Sequence, residues 1–188
     1  MRLILEGPDN AGKTSLANRL VAHVSGLRYF HPGGRPVDFD HEVRCMEEQF
    51  DLLSTSANFI IDRITAISQQ IYNPDKTYDD LRMSEREAII ALNPVIVYCR
   101  PSTDRLLRTQ DLTWREGETE EHKQKIIRNQ HDFVKRYDEM FAKIPCISYD
   151  YEDEAHRELI FTKLVNAFRG SVDDEKWFTN IMYMRSDR

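Results

Sequence analysis

Residues 2–14 read RLILEGPDNAGKT, an apolar segment followed by a glycine-containing turn and the start of a helical pattern. The part from Gly7 to Thr14 fits G-x-x-x-x-G-K-[ST], a loop whose backbone N–H groups can surround phosphate oxygens. Leu16, Leu20 and Val24 recur at helical spacing directly after it. The segment therefore predicts a strand, a phosphate-binding P-loop and a helix, in the order that a nucleoside triphosphate site requires.

The residue types of this loop indicate separate tasks toward ATP. The glycines and the helix N-terminus present N–H groups and a positive dipole to the phosphates. Lys13 is placed to reach the β and γ phosphates, and the Thr14 hydroxyl can bind Mg²⁺. The residues predicted to hold ATP are Gly7, Asn10, Ala11, Gly12, Lys13, Thr14 and Ser15.

The rest of the chain alternates short apolar runs with helical patterns. Strands are predicted at 2–6, 27–30, 59–61, 95–99 and 146–149. Helices are predicted from the P-loop, at about 38–53, up to residue 72, and at 84–92, 102–109, 120–143 and 154–168. Ser84 and Glu87 form a capping-box pattern. Five strands without hairpin turns, each followed by helix, predict a five-stranded parallel sheet in a three-layer α/β sandwich of the P-loop NTPase class.

Length and composition predict one globular domain. The chain has 188 residues, of which 40% are hydrophobic and 31% charged, with a formal charge of −6. The acidic charge disfavours a protein that coats nucleic acid non-specifically, although it does not exclude a nucleic acid substrate. The apolar runs are of strand length, so we expect no membrane span. Three widely spaced cysteines and the absence of a signal-peptide pattern predict a cytoplasmic protein.

The third predicted strand ends in Asp62-Arg63. An aspartate there can hold Mg²⁺ through water, and an arginine beside it can bind a phosphoryl group. A cation site next to an anion site suits transfer between two phosphate-bearing ligands. Thr14 and Asp62 are therefore the predicted metal residues. The chain has no N-K-x-D guanine-binding motif, which argues against a GTPase switch.

At these residues the chain resembles the thymidylate kinase family of P-loop nucleoside monophosphate kinases. Residues 5–14 are similar to the family's E-G-x-D-x-x-G-K-[ST], residues 32–34 to its E-P-G-G, and Asp62-Arg63 to its motif after strand three. Residues 94–98 before an arginine-bearing lid, and Tyr137, extend the resemblance over roughly residues 1–168. The short, divergent chain looks like a virus-encoded member.

The resemblance implies roles for the residues around the loop. Asp9 would contact the sugar hydroxyl of the acceptor, and Arg63 would bind the acceptor phosphate. Some members carry a catalytic arginine in the P-loop, where this chain has Asn10. We therefore expect a lid at about 105–120 to supply the guanidinium, from Arg105 or Arg108, with Arg115 in reserve.

The chain departs from the family pattern on the acceptor side. His31 replaces the acidic residue before Pro-Gly-Gly, and Arg35 follows, so this loop could hold the acceptor phosphate with different partners. Ser68, Gln69 and Tyr72 are expected to line the pocket for the acceptor base.

The expected domain organisation is a kinase domain over residues 1–170 and a tail over 171–188. The tail is charged but carries Trp177, Phe178 and Ile181. Apolar side chains of this size are expected to dock on the domain or on a second subunit, which leaves a homodimer open.

The sequence thus predicts an ATP- and Mg²⁺-dependent kinase with a small-molecule nucleotide substrate. The first acceptor is a deoxynucleoside monophosphate, thymidylate or a close analogue. One alternative is a hydroxyl acceptor, in a deoxynucleoside or in a modified base or end of DNA. Another is a nucleotide-binding protein without catalysis, although such a protein has no use for a second phosphate clamp.

Overall fold

A computed structural model describes residues 1–32, 36–55, 58–74, 76–108 and 119–184. Its strands are β1 (Arg2–Glu6), β2 (Arg28–Phe30), β3 (Phe59–Asp62), β4 (Val95–Cys99) and β5 (Ile147–Tyr149). Its α-helices are α1 (Lys13–His23), α2 (Phe39–Ser54), α3 (Thr65–Tyr72), α4 (Asp79–Ala91), α5 (Thr103–Leu106), α6 (Glu120–Phe141), α7 (Glu154–Phe168) and α8 (Val172–Met184). A 3₁₀ turn, Lys76–Tyr78, precedes α4.

The described strands form one parallel sheet in the order β2-β3-β1-β4-β5. β1 is central, and Ile4 pairs with Ile61 of β3 on one side and Ile96 of β4 on the other. The predicted five-stranded parallel α/β fold is confirmed. In such sheets ligands bind outside the carboxyl ends of the strands, where the P-loop and Asp62 both lie. In the described ranges, no helix combines the length and the apolar character that a bilayer crossing needs.

Alternate residues of β1 face opposite layers of the molecule. Leu3 and Leu5 join a core that also contains residues of α1, α7 and α8. Ile4 joins a second core, shared with residues of α2, α3 and α6. All three side chains are fully buried. Because neighbouring strand residues point to opposite faces, a continuous apolar strand is what a sheet covered on both sides requires.

The helix α8 packs against α7 and carries part of the core. Phe178 is fully buried and Met182 nearly so, and both belong to the core on the α7 side of the sheet. Lys163 Nζ donates to Asp174 Oδ1 at 2.9 Å and links the two helices. The segment 172–184 therefore covers apolar surface of the same chain.

The helix α4 begins at Asp79, so the predicted start at Ser84 was wrong. Asp79 and Asp80 lie in its first turn, where carboxylates interact favourably with the helix dipole. Arg82 in the next turn is buried and makes two hydrogen bonds to Glu42 of α2, at 2.6 and 3.0 Å. The helix therefore includes the turn that bears Arg82, and Ser84 and Glu87 lie inside the helix instead of at its start.

The helix α5 is shorter than predicted, since it ends at Leu106. The remainder of the predicted lid, residues 109–118 with Arg115, lies outside the described residues. The same holds for residues 33–35, and so for Arg35.

Candidate active site at the carboxyl ends of the central strands

The P-loop leaves β1 after Glu6 and enters α1 at Lys13. Its two glycines have φ angles of 143° and 81°, which side-chain-bearing residues rarely adopt. A Cβ on Gly7 would lie 2.4 Å from the carbonyl oxygen of Cys99, and one on Gly12 would lie 2.7 Å from Cδ1 of Tyr151. Both positions therefore require glycine for conformation and for space.

Lys13 is buried under the loop that it belongs to. Its Nζ donates to the carbonyl oxygens of Gly7 at 2.9 Å and Pro8 at 2.7 Å. Burial and the charge of Arg63 lower the pKa of Lys13, against the opposing attraction of nearby carboxylates. A phosphate oxygen is a stronger acceptor than a carbonyl oxygen, so a bound triphosphate would compete for this ammonium group.

Asp62, at the end of β3, accepts hydrogen bonds from two hydroxyl groups. Its Oδ2 accepts hydrogen bonds from Tyr29 at 2.8 Å and from Thr14 at 3.3 Å, and His31 Nδ1 lies 3.4 Å away. Burial favours the neutral carboxyl, but the close approach of His31, the hydrogen bond from Tyr29 and the charges of Lys13 and Arg63 outweigh it. The pKa of Asp62 is therefore held well below its usual range.

The oxygens of Thr14 and Asp62 fit a magnesium ion shared with phosphates. Asp62 Oδ1 is buried and has no hydrogen-bond partner among the residues that the structure describes, and it belongs to the carboxylate that already contacts Thr14. Mg²⁺ at nucleotide sites takes one or two protein oxygens and completes its shell with phosphate and water. Among the described residues, no cluster of three or more histidine, cysteine or acidic side chains could hold a metal alone.

Arg63 turns back toward the P-loop and forms a three-residue cluster with Asp9 and Tyr72. Its Nη2 donates to Asp9 Oδ1 at 2.6 Å and to the Tyr72 hydroxyl at 3.0 Å, and that hydroxyl donates to Asp9 Oδ2 at 3.2 Å. Burial favours the neutral form of Asp9, but the charges of Arg63 and Lys13 and the two hydrogen bonds lower its pKa. In this cluster, below called the acceptor cluster for the role that the sequence predicts, Arg63 and the P-loop residue Asp9 form an ion pair.

Gln49 of α2 holds the backbone that bears Arg63. Arg63 has a left-handed φ of 72°, which is uncommon outside glycine. The buried Gln49 side chain donates to the Arg63 carbonyl at 3.3 Å and accepts from the Thr65 N–H at 2.8 Å. These two hydrogen bonds support a strained conformation that directs the guanidinium to Asp9.

The other predicted pocket residues are divided. Tyr72 joins the acceptor cluster, whereas the Ser68 hydroxyl donates to the Thr65 carbonyl at 3.3 Å within α3. Gln69 is buried and accepts from Asn73 at 2.8 Å. The structure therefore brings Asp9, Arg63 and Tyr72 together and places the two polar residues of α3 in contacts near or within their own helix.

The two described lid arginines differ in their surroundings. Arg105 Nε donates to the Tyr151 hydroxyl at 2.7 Å, and its carbonyl accepts from Asn10 Nδ2 at 3.2 Å. Arg108 is exposed at the end of the described lid. Of the remaining predicted ATP-binding residues, Ala11 is buried and Ser15 is exposed in the first turn of α1.

Four further residues of the site were not predicted from the sequence. Tyr29 of β2 and His31, directly after that strand, reach Asp62, Gln49 supports Arg63, and Tyr151 covers Gly12. In the sequence, these residues are marked only by their positions in or near predicted strands. Those positions point to the site only when the order of the strands in the sheet is known.

Glu6 is a fifth such residue, fully buried at the end of β1. One of its carboxylate oxygens accepts from the Ile64 N–H, and Oε2 has no hydrogen-bond partner in the described part of the chain. Burial raises the pKa of Glu6 to about 7, against the hydrogen bond from Ile64 and the attraction of Arg63 and Lys13.

Known structures share this fold at low sequence identity, although no family model and no curated protein matches the chain. The YorR protein of Bacillus subtilis, in complex with phosphorylated GDP, is 18% identical, with a TM-score of 0.60 over 89% of this chain and 98% of that chain. Deoxyadenosine kinase from M. mycoides, with dCMP and dCDP, is 18% identical, with a TM-score of 0.55 over 89% and 100%. Polyphosphate kinase 2 from Arthrobacter aurescens is 15% identical, with a TM-score of 0.60 over 90% and 68%. The chain shares their fold.

Proposed function

We propose that the protein is an ATP- and Mg²⁺-dependent kinase that phosphorylates a deoxynucleoside monophosphate, with thymidylate or a close analogue as the first acceptor. The observation that carries the proposal is the acceptor cluster beside Lys13, because it adds a second ligand site to a triphosphate site. Two of the neighbours in fold are named as kinases, one of them with bound deoxynucleotides.

The donor side of the site would hold ATP through the P-loop. Lys13 would exchange its two carbonyl partners for oxygens of the β and γ phosphates. The N–H groups at the start of α1 would donate to phosphate oxygens as well. Thr14 and Asp62 would hold Mg²⁺, which, when bound, offsets the negative charge of the phosphates.

On the acceptor side, Asp9 accepts a hydrogen bond from the sugar hydroxyl and Arg63 donates to the acceptor phosphate. An oxygen of that phosphate attacks the γ phosphorus, the bond from the γ phosphorus to the bridging oxygen breaks, and ADP leaves. The negative charge on the transferring group is met by Lys13 and by Arg105 from the lid. The protein thus acts by positioning and by electrostatics.

A hydroxyl acceptor is a second candidate, favoured by one specific observation. Arg63 is already paired with Asp9 at 2.6 Å, so the cluster carries no net charge. The hydroxyl of a deoxynucleoside could donate a hydrogen bond to Asp9, and an uncharged nucleoside needs no further positive side chain to balance a phosphate charge. The fold neighbour named deoxyadenosine kinase supports this alternative.

A thermal-shift panel tests the proposal. The protein is heated with a non-hydrolysable ATP analogue and Mg²⁺, and then with deoxynucleosides or deoxynucleoside monophosphates added. A ligand at a hundred times its dissociation constant adds about 2.7 kcal/mol to the free energy of unfolding. We expect a shift with the analogue, a further shift with monophosphates, and no analogue shift in Lys13→Ala. No shift of the wild type with the analogue would contradict the proposal, and a further shift with nucleosides alone would favour the hydroxyl acceptor.

A further inference from the structure

Three distant segments meet at the tip of the P-loop through a closed ring of hydrogen bonds. Arg105 Nε on α5 donates to the Tyr151 hydroxyl at 2.7 Å. That hydroxyl donates to the Asn10 carbonyl at 3.4 Å, and Asn10 Nδ2 donates to the Arg105 carbonyl at 3.2 Å. Donors and acceptors match, because the hydroxyl uses its one hydrogen toward Asn10 and a lone pair toward Arg105.

The Tyr151 side chain is fixed from several directions. Its ring lies against Gly12, and the Arg105 Cζ lies 6.0 Å from the ring centroid. The next residue, Glu152, accepts a hydrogen bond at 2.9 Å from the N–H of Ser102, the N-cap of α5. The loop after β5 therefore supports both the start of α5 and the arginine that α5 carries.

Asn10 is suited to this ring by its backbone as well as by its side chain. Its φ is 65°, and asparagine is among the residues that tolerate this left-handed conformation best. The carboxamide donates to the carbonyl of Arg105, and this hydrogen bond keeps Arg105 of α5 close to the P-loop. Asn10 itself is uncharged, but it hydrogen-bonds to the residue that supplies a positive charge.

We propose that Tyr151 and Asn10 are positioning residues that hold Arg105 at the donor site. The inference rests on the proposed kinase function, in which Arg105 meets charge on the transferring phosphoryl group. Neither residue touches the reacting atoms. Their effect on the reaction is transmitted through Arg105, which the ring orients before ATP binds.

The test combines single variants with a double-mutant cycle. Tyr151→Phe removes the hydroxyl and keeps the ring against Gly12, and Asn10→Gly removes the carboxamide while allowing the positive φ. Tyr98→Phe is the matched control, since its hydroxyl donates to Asp138 at 2.7 Å outside the site. Turnover, the Michaelis constant for ATP and the thermal midpoint are measured for each variant, and for Tyr151→Phe combined with Arg105→Ala.

A hydrogen bond to a charged group is worth about 1.4 kcal/mol or more, which corresponds to roughly tenfold in rate. We expect Tyr151→Phe, which removes a hydrogen bond to the guanidinium, to lower turnover by about this factor, and Asn10→Gly, which removes a hydrogen bond to the neutral Arg105 carbonyl, to lower it by less. The Michaelis constant for ATP and the thermal midpoint should change little in both variants. In the Arg105→Ala background, Tyr151→Phe should have no further effect, because its partner is gone. Tyr98→Phe should retain the wild-type rate.

Two outcomes would overturn the inference while the proposed function stands. One is an active wild type whose turnover is unchanged in Tyr151→Phe, and the other is an additive loss in the double variant. A wild type that does not bind ATP would instead overturn the proposed function, and this inference with it.

Discussion

Asp62 and Arg63 are adjacent in the chain but serve different sides of the site. Asp62 ends β3 in regular conformation and gathers the hydroxyls of Tyr29 and Thr14. Arg63 follows with a φ of 72°, so its guanidinium returns to Asp9 on the P-loop. The change of backbone conformation between them separates the carboxylate that we propose to bind Mg²⁺ from the guanidinium that we propose to bind the acceptor phosphate.

Arg63→Ala tests this division at the level of the residue. Arg63 is partly buried, and removing one partner of a charge-assisted contact in such a place costs a few kcal/mol, so the acceptor Michaelis constant should rise by on the order of a hundredfold. The Michaelis constant for ATP should change far less, since the P-loop is retained. Steady-state kinetics with each substrate varied in turn measures both. Equal effects on the two constants would indicate that Asp9 and Arg63 form only a structural pair.

Glu6 predicts a pH dependence of stability. Its folded pKa of about 7 exceeds its ordinary value of 4.5, so the folded state binds this proton more tightly than the unfolded state. The contribution is fully present below about pH 4.5 and is lost as the pH rises toward about 7, with a slope of up to about 1.4 kcal/mol per pH unit. Glu6→Gln, which keeps an acceptor for the Ile64 N–H, should remove this part of the slope.

Urea unfolding of both proteins between pH 5 and pH 8 measures the effect. The other titrating groups are the same in the two proteins, so the difference between the curves isolates Glu6. Parallel curves over this range would show that the carboxyl titrates alike in the folded and unfolded states.

Among the elements, the strands and most of the long helices were predictable because their apolar patterns are local, whereas the segment that forms α8 was expected only to dock as a tail. The P-loop and Asp62-Arg63 were predictable for the same reason, since each motif is contiguous. The Tyr151 contact with Asn10 was not, because 141 residues separate the partners. The start of α4 was predicted wrongly since the Ser84 and Glu87 spacing also occurs inside a charged helix.

The helix α5 bears Arg105, the arginine that we expect to act from the lid. Arg105→Ala should lower turnover by roughly a hundredfold or more with little change in either Michaelis constant, because an arginine that meets charge only in the transition state acts on rate. Arg108→Ala is measured beside it, and we expect the smaller effect there, since Arg108 is exposed and Arg105 is bonded to Tyr151. A normal rate in Arg105→Ala, alone and combined with Arg108→Ala, would contradict this assignment.

At the scale of the whole molecule, α8 completes the core on one side of the sheet. Phe178 is fully buried there, so Phe178→Ala should lower the free energy of unfolding by about 3–5 kcal/mol. Leu159→Ala on α7 is the control, because that side chain is 47% exposed and should cost far less. Urea midpoints at unchanged slope give both values. A loss below about 1 kcal/mol for Phe178→Ala would show that α8 is not part of the cooperative unit.

The central claim is phosphoryl transfer from ATP to a nucleotide acceptor at the P-loop. The most direct measurement incubates the protein with γ-labelled ATP, Mg²⁺ and each deoxynucleoside or deoxynucleoside monophosphate, and separates the labelled products. We expect a labelled deoxynucleoside diphosphate, with thymidylate among the best acceptors, and we expect Lys13→Ala to abolish it, because the role proposed for the Lys13 ammonium group is to contact the transferring phosphoryl group. Label transferred to no acceptor, or transferred equally by Lys13→Ala, would contradict the proposed kinase function.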